Sequence, residues 1–330
     1  MSLSPRAAGI LAAVVTVAIW AGFIVVSRAS AALSLLPLDI ALLRILGASA
    51  VLLPWGGWLA RRPGASRSLL GLSPLPLRPT VLTGLFGGLA YAILCYVGFF
   101  FAPAAHASVL MPGSLPLWTA LLAVPLLGER ITRSRALGLA CIVAGGAIVG
   151  GAGLLSAFGG GEVWKGDLIF MCAACCWSVY GVLARRFGLD PVRATIAITA
   201  FACVTFVPAF ALLVGTGVLP SRLAQAPWGE MLFQALFQGV GSVVISGITF
   251  VQMVRAFGPV RSTMITALVP GLSALGAVFF LGEPLSLNLI AGLALVTAGI
   301  LFGVRAARPS APDVIADSAF PTSSGGLKDA

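Results

Sequence analysis

Apolar residues run along this chain in long blocks, not in the alternating or one-faced patterns of soluble elements. Ten blocks are long enough to cross a bilayer as helices, for which about 20 residues suffice. They span 7–27, 38–59, 80–100, 104–126, 134–154, 165–185, 192–214, 230–253, 260–281 and 286–305. Turn-forming and charged residues collect in the breaks: Pro37, Arg61 to Gly64, Pro103, Gly128 to Arg130, Gly159 to Gly161, Asp190-Pro191, Pro220, Gly258-Pro259 and Gly282 to Pro284. Pro112, Pro116 and Pro270 fall inside blocks, which neighbouring helices in a bundle tolerate. The pattern predicts an all-α polytopic membrane protein with ten transmembrane helices.

Composition sharpens this. Of 330 residues, 59% are apolar before the 40 Gly are counted. Soluble domains reach only roughly 45–50% with Gly included. Charged residues make up 9%, too few to cover a soluble fold of this size. A soluble enzyme, a disordered chain and a disulfide scaffold are all excluded on these grounds. The net charge of +10 does not point to nucleic acid, because the basic residues sit a few at a time between apolar blocks. The six cysteines lie inside blocks. Cys172, Cys175 and Cys176 lack a second CxxC or a nearby His, so no metal site is expected, and no cofactor motif is present. Ala29-Ser30-Ala31 resembles a cleavage site, but the preceding run exceeds the roughly 7–15 residues of a signal core.

Ten spans put both termini on one side. If that side is the cytoplasm, sixteen basic residues fall inside and only Arg28, Lys165 and Arg222 outside, with Arg44 within a span. This is a strong positive-inside bias. It predicts an integral plasma (inner) membrane protein with cytoplasmic termini. The expected organisation is a cytoplasmic N-terminus (1–6), a five-helix repeat (7–154), an outer linker (155–164), a second five-helix repeat (165–305) and a disordered cytoplasmic tail (306–330).

The two halves match in spacing. Trp20…Arg28 corresponds to Trp177…Arg185, and Pro116…Gly128-Glu129 to Pro270…Gly282-Glu283. Gly138-Leu139 corresponds to Gly292-Leu293 at the same offset of 154. Five spans per half, an odd number, give the halves opposite orientations. That is the inverted-repeat plan of many secondary transporters, whose substrate site lies near mid-membrane between the halves. These residues, with Pro37 and Arg44 in the second span, resemble the EamA-domain proteins of the drug/metabolite transporter superfamily over roughly 7–305. The resemblance implies ten spans, a central cavity lined by spans 1–4 and 6–9, peripheral fifth and tenth spans, and export of amino acids or other small metabolites. No Arg in the second half matches Arg44.

The clearest polar stripe is in the eighth span. On a helical wheel of roughly 100° per residue, Gln234, Gln238, Ser242, Thr249 and Gln252 share a face about 90° wide. Such a face must meet protein or water. It is either a cavity wall offering amides to a polar solute or a seam of interhelical hydrogen bonds. Tyr91 is the one phenol on the matching face of the third span. Trp20 and Trp177 lie mid-span, unlike interfacial Trp, and Tyr180 follows Trp177 by three residues. These rings suit either a cavity for a partly apolar solute or packing between repeats. Arg44 is an intramembrane cation, a candidate for a substrate carboxylate or phosphate or else a snorkelling side chain. Asp39, five residues away, lies about 140° around the helix and cannot pair with it. His106, the lone histidine, is either a proton relay or a solvated helix-end residue. Glu129 and Glu283 read as helix-end residues.

The reading that unites these features is a secondary transporter, an exporter of amino acids or related small polar solutes, working by alternating access. A lipid flippase or channel on the same architecture is the alternative. A membrane-embedded enzyme fits less well, with one His and no mid-span carboxylate. No P-loop is present, so transport would run on a gradient. The partners called for are a small-molecule solute and a lipid bilayer, with no nucleic acid; a homodimer is one option for assembly.

Overall fold

The computed structural model describes residues 4–61, 68–157 and 159–305; the tail expected at 306–330 and most of the Arg61–Gly64 break lie outside them. The described residues are mostly helical. The helices are α1 (Pro5–Ser30), α2 (Pro37–Ala60), α3 (Leu77–Phe101), α4 (Ala104–Leu127) and α5 (Arg133–Ala157) in the first half. The second half holds α6 (Val163–Arg186), α7 (Pro191–Gly215), α8 (Trp228–Gly258), α9 (Met264–Leu281) and α10 (Leu287–Arg305). Among the described residues nine helices are long and apolar enough to cross a membrane, and Leu287–Gly303 is a shorter apolar tenth. Phe279 and Phe280 are 80% and 82% exposed, a burden only lipid removes from water. The protein is an all-α integral membrane protein built of two five-helix repeats.

Local chemistry sets the helix ends. Pro5, Pro37 and Pro191 sit in first turns, where a missing N–H costs nothing. The Asp190 carboxylate accepts from the Arg193 N–H at 2.9 Å and caps α7. The repeated Gly-Glu pair is a helix stop. Gly128 and Gly282 adopt left-handed φ values of 71° and 65°. The following Glu129 and Glu283 amides bond back to the Ala123 and Ala277 carbonyls at 3.3 and 3.2 Å, which closes a Schellman turn.

Helices α5 and α10 lie against each other through four glycines. A methyl on Gly138 or Gly145 would sit 2.6 Å from the carbonyl oxygen of Gly299 or Gly292. A methyl on Gly299 or Gly292 would meet the Gly138 or Gly145 oxygen at 2.5 and 2.9 Å. Gly138 matches Gly292 across the repeat, and Gly145 matches Gly299, so this seam is its own mirror. The backbones touch because no side chain intervenes.

Two π-helical stretches interrupt the α-helices, Gly84–Ala90 in α3 and Ala235–Ile245 in α8. They occupy corresponding places in the two repeats. A π-turn holds more residues per turn than an α-turn, so each residue advances by less than the 100° of an α-helical wheel. Faces drawn through these stretches therefore drift.

Candidate functional site

A cavity of about 520 Å³ lies between the two repeats, within the range of small-molecule sites. Its walls come from α1–α4 and α6–α9, and none of its described lining residues belongs to α5 or α10. At one end it reaches the α6–α7 connection, where Gly188, Leu189 and Pro191 line it.

Six of the residues singled out in the sequence line it: Trp20, Arg44, Tyr91, Trp177, Tyr180 and Ser242. Trp20 of α1 stacks on Phe250 of α8, with centroids 5.3 Å apart and planes at 26°. Across the repeat boundary Tyr91 of α3 meets Trp177 of α6 at 4.7 Å, and Trp177 meets Tyr180 at 5.1 Å. Arg44 donates through Nη1 to the Ser242 hydroxyl at 3.1 Å and the Gln238 carbonyl at 3.4 Å. Its guanidinium carbon lies 5.3 Å from the Phe23 ring centre, in cation–π range. The Gly87 and Gly88 backbone of one π-turn and Ser242 and Val243 of the other also line the cavity, a contribution the α-helical wheel had no means of revealing.

The rest of the eighth-span stripe turns elsewhere. Gln234 and Gln238 are fully buried and donate to Ser30 and Ser27 of α1 at 2.6 and 3.1 Å. Thr249 bonds Thr16 of α1 at 2.8 Å, and Gln252 is exposed. None of the four lines the cavity. The expected cavity wall is instead a hydrogen-bonded seam between α8 and α1. The cause is the π-stretch between Gln234 and Ser246, which unwinds the face that regular α-helix geometry would keep together.

His106 also lies outside the cavity. Its Nδ1 meets Asp167 Oδ1 at 2.9 Å, with side chains 19% and 7% exposed, and Asp167 Oδ2 is buried without a partner. Asp167 escaped sequence reasoning because it sits two residues past Lys165 at a span end. Asp39 receives the Ser221 hydroxyl and the Arg222 amide at 2.6 and 2.9 Å.

Away from the α6–α7 connection, the cavity stops at tightly packed rings. Phe99 contacts Phe170 edge-on at 4.9 Å, and Phe23 packs edge-on against both Tyr96 and Phe99. Above them Arg28 donates to the Phe99 carbonyl at 2.6 Å and lies 3.8 Å from Glu283. Glu283 also accepts from the Ala104 and Ala105 amides, at 2.8 and 2.9 Å, at the start of α4. A carboxylate there completes orphan donors and meets the positive helix end. At the opposite end of the bundle Glu129 accepts from Arg135 and Arg185, both at 3.0 Å. Partial burial raises the Glu129 pKa, but the Arg135 hydrogen bond and the Arg185 and Arg135 charges outweigh it and leave the carboxyl below its ordinary value.

With that geometry in place, the comparison with known proteins is decisive on family. The model of the EamA-like transporter family matches residues 7–151 and 164–305. The chain belongs to the EamA-like transporter family. It is thus a membrane transporter of small solutes acting in a lipid bilayer. A similar protein is the uncharacterized transporter YyaM of Bacillus subtilis (strain 168), 26% identical over 223 residues, which are 67% of this chain and 71% of that protein. A crystal structure, described only as that of a protein, superposes with a TM-score of 0.56 at 23% identity, covering 90% of this chain and 96% of the other. That likeness concerns the fold.

Proposed function

We propose that this transporter works by alternating access and exports amino acids or related small polar solutes across the plasma membrane, with both termini in the cytoplasm. The observation that carries this reading is the asymmetry of the cavity, which lies between inverted repeats, reaches one face and stops short of the other. The positive-inside bias of the loops makes the reached face cytoplasmic, so the conformation is one that loads from inside.

The repeat supplies the motion. Arg28 and Glu283 close the outer face, and their counterparts by sequence are Arg185 and Glu129 on the inner face. Each pair joins one repeat to the other. Glu283 holds an arginine and the first amides of α4. Glu129 holds two arginines, half in solvent. Rocking the repeats exchanges the two arrangements: Glu283 releases the start of α4 as Glu129 docks on the opposite face. A differential affinity of solute for the two states then biases the exchange.

Proteoliposomes loaded with a panel of amino acids and small metabolites test the reading, with release followed by mass spectrometry. Wild type is expected to release a defined subset, and Trp177→Ala to slow that release by about tenfold, the loss of one cavity contact worth roughly 1.4 kcal/mol. Folded wild-type protein that releases nothing from the panel overturns it.

A further inference from the structure

We infer that the solute is an organic monoanion, a carboxylate on a flat apolar body, and that it carries no positively charged group. This deepens the transporter reading and rests on it for the solute's passage, though not for its binding.

The charge pattern of the cavity comes first. Among its described lining residues only Arg44 and Arg185 are charged, and none is a carboxylate. Arg185 is engaged by Glu129 at the mouth. Arg44 has neutral partners, a hydroxyl, a carbonyl and a ring face. A guanidinium inside the membrane gains little from such partners compared with an anion. Arg44 meets Ser242 and Gln238 through Nη1 alone, and the planar anion that matches its fork is a carboxylate. The Tyr91 and Tyr96 phenols lie within electrostatic reach of this cation, with the Tyr96 hydroxyl near enough to be a further neutral partner.

The rest of the cavity is apolar and flat-walled. Position 198 holds the place of Arg44 in the second repeat, because Pro37 and Pro191 open the two helices and Pro54 and Pro208 interrupt them at the same offset. That place is Ile198, which also lines the cavity. One repeat therefore offers a charge and the other a branched hydrocarbon. Between them stand the Trp20–Phe250 stack and the Tyr91–Trp177–Tyr180 cluster, surfaces that favour planar groups.

Charge balance then selects among solutes. A monoanion neutralises Arg44. A dianion brings a second charge into a low-dielectric site with no second free cation among the described lining residues. A zwitterionic amino acid sets its ammonium a bond or two from the carboxylate, close to the guanidinium, where like charges repel and no acid receives it. Of the solutes proposed above, this sets amino acids aside and keeps related organic acids that lack the amino group.

Binding to purified wild type in lipid nanodiscs separates these cases through quenching of tryptophan fluorescence. The probes are 3-phenylpropionate, phenylalanine, phenethylamine and phenyl phosphate, which differ mainly in charge. The expected order places 3-phenylpropionate about tenfold or more ahead of the other three. Arg44→Gln is expected to abolish the preference and Arg44→Lys to keep part of it, with helicity checked by circular dichroism. Because the order is read on wild type, a variant that fails to fold leaves the test intact. Equal or tighter binding of phenylalanine or phenyl phosphate overturns the inference, as does no binding of any probe or a preference that survives in folded Arg44→Gln. Binding in the expected order without movement of 3-phenylpropionate in proteoliposomes overturns the transport reading and leaves the ligand class standing.

Discussion

Gln238 illustrates how much one side chain's surroundings decide at the residue scale. It is fully buried, donates to Ser27, and leaves its Oε1 without a partner. Gln238→Leu therefore removes one interhelical bond, worth about 1 kcal/mol in membrane bundles, and at the same time relieves an unsatisfied acceptor. Solute transport by this variant is expected to match wild type within about twofold, the scale of a change under 0.5 kcal/mol. Ser242→Ala is the contrast: it strips Arg44 of its closest partner, and initial-rate measurements should show a raised KM. A loss of transport in Gln238→Leu with an unchanged Ser242→Ala would reverse the roles assigned to the two. Glu129 adds a pH dependence. Its pKa lies below the ordinary carboxylate value in the folded protein, so what its ion pairs contribute is complete above that ordinary value. It is lost as pH falls through the lowered one. The difference in Tm between wild type and Glu129→Gln should accordingly shrink towards zero on acidification and stay flat from neutral pH upward.

At the scale of elements, glycine decides where helices touch. The α5–α10 seam brings Gly145 so close to Gly292 that a methyl meets a backbone oxygen at 2.6 Å, and a backbone atom cannot swing aside as a side chain can. Gly145→Ala should cost about 1–3 kcal/mol, the usual range for overpacking. Gly151 lies on the same helix with nothing within 4 Å of such a methyl. Gly151→Ala should leave stability unchanged or raise it slightly, by up to about 1 kcal/mol of helix propensity. Thermal unfolding of the two variants in one detergent checks the pair, and equal shifts would remove the seam as the cause.

For the molecule as a whole, the two cross-repeat ion pairs make a reciprocal prediction. Glu283→Gln weakens the hold on Arg28 and on the start of α4, so it should favour the conformation open to the outer face. Cys95 is fully buried behind that seal, beside Met111. In a background where Cys95 is the sole cysteine, an impermeant maleimide added outside should label Glu283→Gln several-fold faster than its parent. Glu129→Gln should do the opposite and slow that labelling. Identical rates in all three would locate the outer seal elsewhere, in the Phe99–Phe170 layer.

Long apolar blocks, the positive-inside bias and the matched Trp…Arg and Gly-Glu spacings determined the helical membrane fold, its two repeats and the helix ends. These are local properties: hydrophobic length sets a span, and a left-handed glycine stops a helix wherever it stands. That Trp20, Arg44, Tyr91, Trp177 and Tyr180 lie inside apolar helices was legible for the same reason. Three things belong to the tertiary structure alone. The π-stretch of α8 breaks up the face shared by Gln234, Gln238, Ser242, Thr249 and Gln252, and a wheel drawn at a fixed angle has no access to that drift. The His106–Asp167 and Arg28–Glu283 pairs join residues 61 and 255 positions apart, contacts that no periodicity encodes. The Arg44 cation acquires its meaning only when Ile198 and the aromatic walls stand around it, because a charge is unpaired or paired by what folds against it.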